Sequence, residues 1–198
     1  MMIGFIVGFA LLLQAQVPAQ HAIVLPTIDG KKLHIVGTQN GLKVLEYPGK
    51  VLFIEFWGTG CPPCRMSIPH YIQLQKKYKD KLAIVTVEVW GTPKEKLKTF
   101  VKREGINYDV ASYGDGAYFV RYLTHRSGWE GSVPFLAIFD RNGDFVTMQV
   151  GLLNAKALDG LVAKLSSMPL KVEKKSPAQN TSSQPTPSEN NTTKSPKK

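Results

Sequence analysis

Cysteine is scarce in this chain: among 198 residues there are two, Cys61 and Cys64. A zinc site built from thiolates alone is therefore excluded, and any structural zinc centre would need two more ligands from His21, His34, His70 and His125, which are scattered without ligand spacing. A zinc or copper metallochaperone using Cys61, Cys64 and His70 is the different-class alternative, but no metal or other cofactor is expected. No apolar run is long enough to span a bilayer comfortably, and with 43% hydrophobic and 20% charged residues the chain is too polar for a multi-span membrane protein. Arginine forms no cluster, and no strand alternates basic and aromatic residues, so the net charge of +10 does not point to a nucleic-acid partner. There is no internal repeat.

The two ends differ in composition from the middle. Met2 to Leu13 is an apolar run that gives way to small and polar residues, with Val17 and Ala19 forming a small-x-small cleavage pattern. Residues 1–21 are read as a signal peptide, with an N-terminal membrane anchor as the alternative because no Lys or Arg precedes the run. Export places the protein in the periplasm, or anchored to the inner membrane and facing the periplasm. Residues 168–198, rich in Lys, Ser, Pro and Asn, hold almost no apolar residue and are expected to be a disordered tail. One folded domain, residues 22–167, remains, and it is expected to be monomeric.

Within that domain, Ala22 to Val36 alternates around Asp29-Gly30 and predicts a β-hairpin, followed by a Gly-rich connection. Val51 to Trp57 is a nearly continuous apolar run of strand length, broken only by Glu55, and predicts a central strand covered on both faces. Met66, Ile68, Tyr71, Ile72, Leu74 and Tyr78 then recur at helical spacing, with Pro69 expected to kink the first turns. "KLAIVTVEVW" predicts a second buried strand, and Thr92 as N-cap, Pro93 at the first position and Gly105 beyond the end frame another helix. A short helix in "GAYFVRYLT" and a polar loop in "THRSGWEGS" follow. Then come a strand, an Asn142-Gly143 turn, a strand, and a closing helix capped by Asn154. This order predicts an α/β fold, a three-layer α/β/α sandwich with a mixed sheet and an N-terminal hairpin.

Two thiols in an oxidising compartment would ordinarily make a structural disulfide. Cysteines three apart close so small a loop, however, that little unfolded-state entropy is removed, and stability is a poor reason for the spacing. Where a buried strand runs into a helix, the helix dipole and unpaired N–H groups favour a thiolate. Cys61 occupies that junction and is expected to be exposed and nucleophilic, with Cys64 lying deeper one turn on. The pair can exchange with a substrate disulfide through a mixed disulfide at Cys61 that Cys64 resolves. Pro62 and Pro63 fix φ where missing N–H groups cost least, yet remove amides that could stabilise the thiolate.

"VLFIEFWGTGCPPC", the following "SIP", "GSVPFLAIFDRNGDFVTMQVG" and "IDGKKL" resemble the thioredoxin-like fold, and within it the exported TlpA, ResA and CcmG-like branch of thiol-disulfide oxidoreductases. The resemblance implies a cis Val133-Pro134 peptide facing the cysteines, with the Val133 backbone, Trp57 and Pro62 in the substrate-binding surface. It also implies that Glu55 is the buried proton acceptor for Cys64, with Glu88 a second candidate. Protein thiols or disulfides are the implied substrates, including the haem-attachment cysteines of apocytochromes c, and a membrane thiol carrier is the implied electron donor. A reductase is implied, with an oxidase or isomerase as the alternative. The chain departs from the pattern at Gly60, where a Trp is usual, and at Ser67, where an acid is frequent. Trp129 is read either as a substrate lip or as a packed aromatic.

Overall fold

The computed structural model describes residues 22–171. The expectations for residues 1–21 and for the tail beyond 171 lie outside them. Strand β4 (Val51–Trp57) sits at the centre with every residue buried, as its apolar run predicts. It pairs in parallel with β5 (Leu82–Glu88) and antiparallel with β7 (Phe135–Phe139), at the middle of a five-stranded sheet. At its edges are β6 (Asp109–Ser112), parallel to β5, and β8 (Phe145–Val150), antiparallel to β7. The β7–β8 turn is held by the Asp140 carboxylate, which accepts from Asn142 N and Asp144 N, and Gly143 takes the positive φ of 83° that the turn requires.

Alternation along the strands divides the core in two. On one face Leu52, Ile54, Phe56, Val85 and Val87 pack against α3 (Tyr113–Ser127) and a small antiparallel sheet of β1 (Ile23–Pro26), β2 (Lys32–Gly37) and β3 (Leu42–Val44). On the other face Val51, Phe53, Leu82 and Ile84 pack against α1 (Pro62–Lys77) and α4 (Ala155–Ser167). A third cluster, at the C-terminal end of β4, joins Trp57 and the cysteines to Ile68 and to Leu97 and Phe100 of α2 (Lys94–Glu104). The result is the thioredoxin-like three-layer arrangement, with its mixed sheet and N-terminal antiparallel strands.

Several local expectations are corrected. The segment read as a Gly-rich connection contains β3, so the N-terminal hairpin is a three-stranded sheet. Strand β6, not anticipated, adds to the far edge. Helix α3 is longer than the short helix expected, because Ser112 caps its start by accepting from Asp115 N and Thr124–Ser127 continue it into the segment read as loop. Gly116 is tolerated inside α3 because a Cβ there would lie 2.9 Å from Val87 Cγ1, and its absence lets the helix approach the sheet. Helix α2 begins at Lys94 with no side-chain cap, since Thr92 is engaged elsewhere. Pro69 lies on the outer side of α1, which runs on through it to Lys77. Met66, counted in the apolar stripe, is 59% exposed; Ser67 takes the inward place.

Candidate functional site

Cys61 is the N-cap of α1, and Pro62 and Pro63 occupy the first two helical positions. Neither proline has an N–H, so the first amide available at this helix end belongs to Cys64, and it donates to Cys61 Sγ at 3.2 Å. The two sulfurs form a disulfide with the Cα atoms 5.3 Å apart. The expectation of an exposed Cys61 is corrected: the residue is 2% exposed and Cys64 is 1% exposed. Cys61 is enclosed because its sulfur is bonded inward to Cys64 and the Val133 carbonyl oxygen lies 3.9 Å away on the other side. Pro62 beside it is exposed.

Val133-Pro134 is a cis peptide at the start of β7, whose Phe135 pairs with Phe56 near the C-terminal end of β4. Sheet pairing thus brings the loop to the cysteines from 72 residues away in sequence. Trp129 in the same loop is a packed aromatic: its ring lies 4.9 Å from Phe56 and 5.8 Å from Phe135, and its Nε1 donates to Ser132 O. Trp57 is corrected as a substrate contact. It is 2% exposed, its Nε1 donates to Thr86 Oγ1, and its ring packs 5.6 Å from Phe100, so it supports the site from beneath.

Glu55 points to the sheet face covered by α1, the side that holds Cys64, and its Oε1 is buried without a hydrogen-bond partner. Burial pushes its pKa up to about 8, against the lowering effect of a hydrogen bond from Tyr71. Tyr71 also interacts with Ser67, so one inward face of α1 carries Cys64, Ser67 and Tyr71 in succession towards the carboxyl. Sequence reasoning missed Tyr71 as Glu55's partner, because at helical spacing it reads as an ordinary core aromatic.

Glu88 is as deeply buried but saturated. It accepts from Thr92 N and Thr92 Oγ1, both at 2.9 Å, and from Thr59 N at 3.5 Å. Thr59 Oγ1 meets Thr92 Oγ1 at 2.8 Å, so the carboxylate ties the β5–α2 loop to the loop before Cys61. Glu88 is therefore a clamp rather than a second proton acceptor. His70 is half-buried on α1, and among the described residues no group of three or more His, Cys, Asp or Glu is arranged to hold a metal ion.

A redox-active sulfur pair at the N-terminus of the helix after the central strand, faced by a cis-proline loop, defines a thiol-disulfide oxidoreductase of the thioredoxin-like class. The chain belongs to the AhpC/TSA family, whose sequence pattern matches residues 25–147. It is 30% identical over 144 residues to the thiol-disulfide oxidoreductase ResA of Bacillus thuringiensis strain Al Hakam, an alignment covering 72% of this chain and 74% of that protein. It is 31% identical over 116 residues to the thioredoxin-like protein YneN of Bacillus subtilis strain 168, covering 56% and 62%. Among solved structures it is similar to a thioredoxin-family thiol:disulfide interchange protein of Chlorobium tepidum TLS, with a TM-score of 0.62 at 23% identity over 77% of this chain and 99% of that one.

Proposed function

We propose that this oxidoreductase is an exported reductase of protein disulfides. The observation that carries the direction is the amide count at Cys61: with Pro62 and Pro63 in the first turn, a single backbone N–H reaches the sulfur. A thiolate so sparsely stabilised leaves the reduced form eager to give up its electrons, whereas strong oxidants of this chemistry owe their potential to a stabilised reduced form. In the reaction Cys61 attacks one sulfur of the substrate disulfide, forming a mixed disulfide and releasing the first substrate thiolate. Cys64 loses its proton to Glu55 in its ionised form, which a pKa of about 8 keeps available near neutral pH, and attacks Cys61 Sγ, and the second substrate thiolate leaves and is protonated. The enzyme pair ends oxidised and the substrate gains two electrons. A membrane thiol carrier then returns the enzyme to its dithiol form.

The Val133 backbone and Pro62 border Cys61 and supply the surface on which a substrate chain is held. The apolar N-terminal run supports export by a signal peptide or an N-terminal anchor; among the described residues no helix is long and apolar enough to cross a membrane. The protein works as a monomer, and the haem-attachment cysteines of apocytochromes c are the substrate class the resemblance favours. Measuring the reduction potential of the Cys61–Cys64 pair tests the direction: a value near about −270 mV supports a reductase, and one near about −120 mV makes it an oxidase. Cys64→Ser should trap a mixed disulfide at Cys61, and Cys61→Ser should abolish turnover.

A further inference from the structure

Trp90 lies in the β5–α2 loop and is 56% exposed, although its surroundings are built to hold it in one place. Its ring lies against the turn that leads into Cys61. A Cβ at Gly58 would stand 2.4 Å from Trp90 Cδ2 and 2.6 Å from Cε3, and one at Gly60 would stand 3.5 Å from Cζ3. The missing side chains at 58 and 60 are thus the seat of the indole. The backbone on either side is fixed too: Val89 N donates to Trp57 O, and the Glu88 carboxylate binds Thr92 and Thr59. Strand order gives Trp90 its place at the site. Trp90 follows β5 and Val133 precedes β7, and these two strands flank β4 on opposite sides, so the indole and the cis-proline loop stand on either side of the strand end that leads to Cys61.

We infer that Trp90 is a specificity-determining residue for the exchange reaction: its exposed face stacks on the polypeptide flanking the target cysteine while the Val133 side holds the chain. A large apolar surface left open at a rigid position beside a reactive group favours an extended, partly unfolded segment with apolar or aromatic side chains near its cysteine. Glu88, Thr59 and Thr92 act through it as positioning residues. The inference rests on the disulfide-reductase reading above and adds to it the class of chain selected.

The test is single-turnover reduction by the full chain, prereduced and freed of reductant, of two substrates: an oxidised two-cysteine peptide with aromatic flanks, and bis(2-hydroxyethyl) disulfide, which has no flanking chain. Trp90→Ala should raise the peptide concentration giving half the limiting rate about tenfold, the worth of one aromatic contact, and leave the limiting rate unchanged. Its rate with the small disulfide should match wild type, and Trp90→Phe should recover most of the loss. Gly58→Ala, which displaces the ring, should reproduce the Trp90→Ala effect. An unchanged half-saturating concentration in Trp90→Ala, or equal slowing with both substrates, overturns this inference alone. A wild type that reduces neither disulfide overturns the reductase reading and this inference with it.

Discussion

Glu55 and Glu88 sit on neighbouring parallel strands, on the same face of one sheet, and both are buried, yet they are in opposite condition. Glu88 has three donors within 3.5 Å, whereas Glu55 has an unpartnered oxygen and a pKa pushed up to about 8. A buried carboxylate costs several kcal/mol unless it is satisfied, neutralised or used. Glu88 follows the first course and gives up proton chemistry to hold two loops together. Glu55 follows the second and so keeps a proton that can move near neutral pH. The difference shows that burial alone does not set the condition of a carboxylate, and that the inventory of donors around it does.

The contrast is broken most severely by removing the clamp. Glu88→Ala should cost about 3 to 4 kcal/mol in urea unfolding, because it strands the Thr92 and Thr59 donors and opens a hole. Glu55→Ala should cost less than that, since it strands one donor, the Tyr71 hydroxyl, where Glu88→Ala strands three. Next in size, Glu55→Gln should slow resolution of the mixed disulfide by about 10²-fold at pH 7 while leaving the first attack by Cys61 unchanged, as seen by quenched-flow trapping. A separate effect, on the pH dependence of stability, follows from linkage. Between the ordinary carboxylate value of 4.5 and about 8, the folded protein keeps a proton on Glu55 that the unfolded chain has released. Stability therefore falls as pH rises through that window, and Glu55→Gln should flatten the decline in thermal unfolding measured from pH 5 to 8. The smallest is Thr59→Val, which removes one hydroxyl from the clamp and should cost about 1 kcal/mol.

How far these features can be read from sequence depends on whether the signal is local. The unbroken apolar run of β4 and the turn chemistry at Asn142-Gly143 are local, and so is the isolation of Glu55 inside an apolar strand. Strands β3 and β6 are not legible because they have three and four residues, too few for a pattern, and owe their existence to pairing with longer neighbours. Thr92 reads as a helix cap, since a Thr before Pro ordinarily is one; Glu88, four residues back, takes its hydroxyl instead. The enclosure of Cys61 comes from Val133, far along the chain, and the seat of Trp90 is made of side chains that are not there. Met66 and Trp57 show the same limit in reverse, since periodicity and motif membership name a residue without saying which way it faces.

The sulfur bridge spans only four residues at the lip of a helix that is anchored along its whole inner face by Ile68, Tyr71 and Leu74. Opening it should cost the fold little stability, because so short a ring removes little freedom from the unfolded chain. The pair can therefore be charged with two electrons and emptied of them at little cost to the stability of its frame, as a rechargeable cell keeps its casing through each discharge.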